Sequence, residues 1–225
     1  MTNAMSGTAA PTPPELAQAF KIPHVEPGMR IGLLGGSFNP PHEGHLNASL
    51  IALSRLGLDR LWWIVTPGNP LKDPGELEGL EQRIELSRRM ANHPRIDITA
   101  FEARYKVRYT QDTLSLLARS RPLANFVWIM GADNLATFHR WQNWRRIAAT
   151  MPIAVIDRPG STLSCRSAPA AIALARWRIP ESQAKNLATM QPPAWTFLHG
   201  PRSPLSSSAI RSARRKSGQH QAPAK

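Results

Sequence analysis

Cysteine is nearly absent from the chain: Cys165 stands alone. No intramolecular disulfide can form, and no CxxC spacing offers a thiolate metal site. A reducing cytoplasm is the expected location. Long hydrophobic runs are missing as well. Phe126-Val127-Trp128-Ile129-Met130 is among the longest, against the roughly 20 apolar residues that a membrane-spanning helix needs. The opening residues MTNAMSGTAAPTPPE carry neither a basic n-region nor an apolar h-region, so no signal peptide is expected. Acidic residues are scarce, 15 Asp+Glu against 28 Lys+Arg, which leaves a net charge of +13. Such an excess suits an anionic partner: nucleic acid, a membrane surface or phosphorylated small molecules. The cations are scattered from Arg30 to Arg215, with one tight cluster at 211–216, so charge points to phosphate and goes no further.

What is present suits one α/β domain. The 225 residues are 42% hydrophobic, enough for a sizeable core. Residues 1–28, rich in Ala, Pro and Thr without an apolar period, read as a flexible extension. Residues 216–225 read as a flexible tail, leaving a domain at 29–215. Short apolar runs predict strands at 29–34, 61–65, 95–99 (edge-like), 126–130, 152–156 and 195–198. Between them, helical spacing predicts helices at 43–56, where Leu46, Leu50, Leu53 and Leu56 form the stripe, and at 79–91, 110–117, 141–149 and 206–215. Thr110 or Asp112 is the expected N-cap of the third of these. Segment 161–192 shows only a helical patch near 170–177. Strands alternating with helices predict a Rossmann-like, doubly wound parallel sheet with helices on both faces. Ligands of such folds bind at the carboxyl ends of the strands.

The motifs fall just after predicted strands. Gly35-Gly36-Ser37-Phe38-Asn39-Pro40-Pro41-His42-Glu43-Gly44-His45 follows the first strand and enters the first helix. Glycines allow close approach of a ligand to the backbone, and a helix N-terminus presents N–H groups to an anion. His42 and His45, three apart, share one side of a helical turn, where they can reach a phosphate. The plainer reading is that Gly and Pro shape a turn while the histidines cap the helix.

This string resembles the GxFxPxHxGH motif of the nucleotidylyltransferases related to class I aminoacyl-tRNA synthetases. The second motif of that superfamily, ISSTxIR, has its counterpart in Leu205-Ser206-Ser207-Ser208-Ala209-Ile210-Arg211, with Leu for Ile and Ser for Thr. Three further segments resemble the bacterial nicotinate mononucleotide adenylyltransferases: Tyr109-Thr110, Gly131-Ala132-Asp133, and Phe138-His139-Arg140-Trp141-Gln142-Asn143-Trp144. Arg158-Pro159-Gly160 matches an R-P-G of the same family.

The resemblance implies an enzyme of NAD biosynthesis, with ATP and nicotinate mononucleotide as substrates. Mg²⁺ would be carried by the ATP phosphates rather than by dedicated protein ligands. His42, His45 and Arg211 would act on the phosphates. Gly35, Gly36, Ser37, Phe38, Gly131, Asp133, Ser207, Ser208 and Ile210 would bind ATP. Ser37, Lys72, Tyr109, Thr110, Trp141 and Arg158 would face the pyridine mononucleotide. Plainer readings stand beside these: Tyr109 and Trp144 as core aromatics, Asp133 as a helix cap, Lys72 and Arg158 as solvated surface. Two other functions compete, namely another member of the superfamily, such as phosphopantetheine adenylyltransferase, and a basic nucleic-acid-binding module. A non-catalytic nucleotide sensor is a further alternative, which intact His42, His45 and Arg211 argue against. Neither nucleic acid nor membrane is an expected partner, and the sequence is silent on oligomeric state.

Overall fold

The computed structural model describes residues 14–68, 77–157 and 167–200. Its strands are β1 (Arg30–Gly36), β2 (Arg60–Val65), β3 (Ile96–Thr99), β4 (Asn125–Gly131), β5 (Ile153–Ile156) and β6 (Trp195–Leu198). They lie in the order β3-β2-β1-β4-β5-β6, every pairing parallel. The expected sheet is therefore present, with strand order 3-2-1-4-5-6, the doubly wound arrangement that reverses beside its first strand. Chain progression runs outward from β1 in both directions, so the crevice between β1 and β4 is the switch point.

Both faces of the sheet are buried, which is why the strands read as unbroken apolar runs instead of alternating ones. Successive residues feed opposite cores. Ile31, Leu33, Trp62, Phe126, Trp128 and Val155 pack on one side. Leu34, Trp63, Val65, Val127, Ile129 and Ala154 pack on the other. The first core is covered by α5 (Thr110–Ser120), α6 (Ala132–Thr137) and α7 (Trp144–Thr150). The second is covered by α2 (Glu43–Arg55) and α3 (Leu80–Met90). In α2 the inward stripe runs through Ala48, Ser49, Ala52 and Leu53, whereas Leu50, expected on it, is exposed. Past α2 the Leu58 N–H closes on the Leu53 carbonyl (3.1 Å) across Gly57, whose φ of +61° few other residues adopt.

The largest departure from the sequence reading lies at the N-terminus. Residues 1–28 were expected to be a flexible extension, yet 14–28 belong to the domain. A short helix, α1 (Pro14–Ala19), places Leu16, Ala19 and Phe20 in the second core. The chain then crosses the outer edge of β3 and packs Ile22 and Val25 against the first. Thr99 on β3 donates its hydroxyl to the carbonyls of Ala19 (3.1 Å) and Lys21 (2.9 Å), and the Ala100 N–H donates to Ala19 (2.7 Å). This wrap covers a sheet edge that would otherwise present unpaired backbone groups. Segment 161–192 resolves, from residue 167 on, into short pieces: a helix at Pro169–Ala173 and 3₁₀ turns at Ala175–Trp177 and Glu181–Thr189. The helix expected at 206–215 lies outside the described residues.

Candidate active site

The first motif and the Gly131-Ala132-Asp133 segment leave the carboxyl ends of β1 and β4, on the two sides of the switch point, whereas Tyr109-Thr110 follows β3. After β1, Phe38 takes a positive φ of 44° and turns its ring onto Trp63 of β2, stacked at 4.7 Å and 10°. That turn brings His42 to the start of α2 as its N-cap. The His42 Nδ1 accepts from the Gly44 N–H (3.1 Å), and the His45 Nδ1 accepts from the His42 N–H (3.2 Å). The pair forms a capping box of two imidazoles, where Ser or Thr with Glu is the usual chemistry. Their ring centroids lie 3.8 Å apart.

Capping is thus a joint property of the two rings. Each Nδ1 is committed as an acceptor, so a neutral ring carries its proton on Nε2. The box fixes the tautomer and makes each Nε2–H a donor at a helix N-terminus, where an anion is favoured. Ser49 holds the base of this arrangement: its hydroxyl donates to the His45 carbonyl (2.8 Å) and accepts from the Trp63 indole N–H (2.7 Å).

Gly35 has a packing reason to be glycine. A Cβ there would meet Cη2 of Trp128 on β4 at 2.5 Å. At Gly36 a Cβ would meet the Phe38 ring at 3.3 Å, so this glycine lets the aromatic turn close over β1. Across the switch point Gly131 ends β4 and serves directly as the N-cap of α6, with Ala132 buried and Asp133 exposed in its first turn.

Tyr109 is the N-cap of α5, correcting the expectation of Thr110 or Asp112, and its side chain makes no cap bond. Thr110 is its first residue, Asp112 is exposed, and Tyr109 is 38% exposed rather than a core aromatic. Trp141 is half-buried, edge-on to Phe138 at 5.5 Å, while Trp144 is a core residue. Lys72, Arg158, Ser207, Ser208, Ile210 and Arg211 lie outside the described residues.

Two buried ionisable groups escaped the sequence reading. Arg83 of α3, fully buried, reaches beneath the first motif and donates to the Ser37 carbonyl (2.7 Å). It donates also to Thr66 (2.8 Å), Pro67 (3.3 Å) and Glu78 (2.9 Å) carbonyls. Burial pushes its guanidinium below the usual value, and the Glu78 carboxylate opposes that shift. A signal existed: Arg83 occupies the inward stripe of α3 with Ile84 and Ser87, where a charge is out of place. Glu102 lies in α4 (Phe101–Tyr105) and accepts from the Thr113 hydroxyl of α5. Burial raises its carboxyl to about 7, and the Thr113 bond offsets part of the rise.

Comparison with known proteins agrees with this geometry. Residues 33–213 match the cytidylyltransferase-like family. A Mesorhizobium japonicum protein is 60% identical over 190 residues, covering 84% of this chain and 97% of its own length. A Brucella suis protein is 58% identical over 188 residues, covering 84% and 97%. Both carry the name probable nicotinate-nucleotide adenylyltransferase. In fold, the chain is similar to Plasmodium falciparum nicotinic acid mononucleotide adenylyltransferase complexed with NaAD, at a TM-score of 0.60, 17% identity and coverage of 82% and 83%. With its relatives matched over nearly their whole length, the chain belongs to the cytidylyltransferase-like family, among its nicotinate-nucleotide adenylyltransferases.

Proposed function

We propose that the protein transfers the adenylyl group of ATP to nicotinate mononucleotide, giving the deamido dinucleotide of NAD biosynthesis and pyrophosphate. The observation that carries this reading is the two-histidine capping box at the switch point, with both Nδ1 atoms occupied from within the loop. In the reaction a 5′-phosphate oxygen of the mononucleotide attacks the α-phosphorus of ATP. The bond from that phosphorus to the α,β-bridging oxygen breaks, and pyrophosphate departs with the electron pair. An ionised phosphate needs neither a protein nucleophile nor a general base. The protein's work is then alignment and charge stabilisation. His42 and His45 would donate from Nε2 to the α- and β-phosphates. Ser208 and Arg211 would hold the β- and γ-phosphates, with Gly131 and Asp133 at adenosine. Tyr109, Thr110 and Trp141 would take the pyridine ring. Mg²⁺ would ride on the triphosphate and neutralise its oxygens. Among the described residues no group of three or more His, Cys, Asp and Glu is arranged to hold a metal ion. We place the reaction in the cytoplasm; no helix among the described residues is long and apolar enough to cross a membrane.

Acceptor choice follows from α5. The Tyr109 side chain makes no cap bond at the first turn of this helix, so the Thr110 hydroxyl and helix-end N–H groups would meet a carboxylate. A hydrogen bond to a charged group contributes about 1.5–3 kcal/mol, or roughly ten- to a hundred-fold in discrimination. With ATP and Mg²⁺ saturating, kcat/KM for nicotinate mononucleotide should exceed that for the nicotinamide form by at least about tenfold. Product identification with phosphopantetheine as a third acceptor separates this reading from its nearest competitor. Equal use of the two pyridine acceptors would overturn the role of Thr110. Adenylylation of phosphopantetheine alone would overturn the function.

A further inference from the structure

Arg83 combines two properties that a structural arginine seldom shows together. Its side chain is wholly buried, and among the described residues its four hydrogen bonds go to backbone carbonyls rather than to carboxylate oxygens. Carbonyl oxygens satisfy the N–H groups without cancelling the charge. The positive charge is thus held in the protein interior under the loop after β1, where the Glu78 carboxylate offsets only part of the cost of burying it. The carbonyls come from separate pieces of backbone. Ser37 belongs to the loop between Gly36 and His42, Thr66 and Pro67 to the exit of β2, and Glu78 to the approach to α3. A parallel contact repeats the tie: the Glu78 N–H donates to the side chain of Asn39, itself buried, at 3.3 Å.

We infer that Arg83 is a positioning residue for adenylyl transfer: it locks the histidine-bearing loop after β1 to the chain leaving β2 and entering α3. The guanidinium is suited to this because its planar fork points donors in several fixed directions at once. A lysine ammonium, with three donors on one atom, cannot reach four carbonyls spread over these segments. In-line transfer demands that two phosphates be held at a set distance and angle, and displacements near 1 Å cost about a hundredfold in rate. The part of that charge left uncompensated by Glu78 would add attraction for a triphosphate held at the motif. Fixing the two loops therefore bears on turnover, and the charge on affinity.

This role rests on the proposed adenylyl transfer, and the wild-type assay tests that reading separately. If wild-type protein makes no dinucleotide, the function fails; if it does, the variants judge Arg83 alone. Arg83→Lys keeps the charge and loses the fork, while Arg83→Met loses both. Each is assayed at least 20 °C below its own melting midpoint (a margin set by the protocol), with folding checked by circular dichroism. For Arg83→Lys, kcat should fall about ten- to a hundred-fold, while the Kd of a non-hydrolysable ATP analogue moves less than about threefold. For Arg83→Met, the analogue's Kd should also rise by about fivefold or more. Millimolar guanidinium should restore part of the turnover of Arg83→Ala and none to wild type. Folded Arg83→Lys with kcat within twofold of wild type would overturn the inference. So would a loss of rate that tracks the unfolded fraction as temperature rises. Should Arg83→Met and Arg83→Ala not fold, the Arg83→Lys split between kcat and Kd decides alone.

Discussion

Single residues in this protein are chosen for more than one demand at once. His42 and His45 close a helix end with their Nδ1 atoms, and that same bond dictates where the remaining proton sits. Glu102, in α4, carries a cost. Its carboxyl, 7% exposed, is raised to about 7 from 4.5 by burial, with only the Thr113 hydroxyl in partial compensation. Between pH 4.5 and 7 the unfolded chain releases this proton while the folded one keeps it. The folded state then binds more protons, so stability falls as pH rises through that window and levels off above it. The carboxyl's rise to about 7 corresponds to about 3 kcal/mol above pH 7. Glu102→Gln keeps an oxygen to accept from Thr113 and removes the titration. Its melting midpoint should match wild type near pH 4.5 and exceed it by about 5 °C or more at pH 8. A pH-independent difference, or a loss at pH 8, would show that Glu102 is ionised in the folded protein without penalty.

At the scale of elements, the N-terminal wrap makes the clearest demand. α1 and the residues after it bury Leu16, Ala19, Phe20, Ile22 and Val25 against two cores and close the β3 edge through Thr99. Removing residues 1–22 should therefore cost about 2–4 kcal/mol from lost apolar burial, or about 5–15 °C in melting midpoint. An unchanged midpoint, measured by calorimetry, would mean that the edge closes without it. The wrap was illegible because its helical stripe, Leu16, Ala19 and Phe20, lasts about one turn, and Ile22 and Val25, which serve the other core, do not continue it. Strands were legible for the opposite reason: Trp62 and Trp63, or Trp128 and Ile129, are buried on both faces and leave an unbroken run. α4 and α6 span five and six residues, too short to show a stripe. The first motif was readable because its parts are consecutive. Arg83 was not, since its meaning lies in carbonyls contributed by Ser37, Thr66 and Glu78, and a carbonyl has no letter in the sequence.

For the whole molecule, the net charge of +13 meets the central difficulty of the proposed reaction. An anionic mononucleotide must approach an anionic triphosphate, and their mutual repulsion opposes both encounter and alignment. A basic protein surface supplies positive potential over the distance of approach, raising the local concentration of both reactants. The strand order gathers the β1 and β4 exits at one crevice, where that potential would act on both reactants. Such attraction is screened over about 10 Å at 0.1 M salt and over about 3 Å at 1 M. kcat/KM for each substrate should therefore fall several-fold between about 20 and 300 mM monovalent salt, with kcat at saturation changing far less. Screening depends on ionic strength and not on the identity of the anion. Potassium chloride and potassium glutamate at matched ionic strength should give the same decline, whereas competition by chloride at the phosphate site would separate the two curves. A flat response in both salts would mean that the excess of arginine and lysine serves solubility or another partner, and that binding rests on short-range contacts alone.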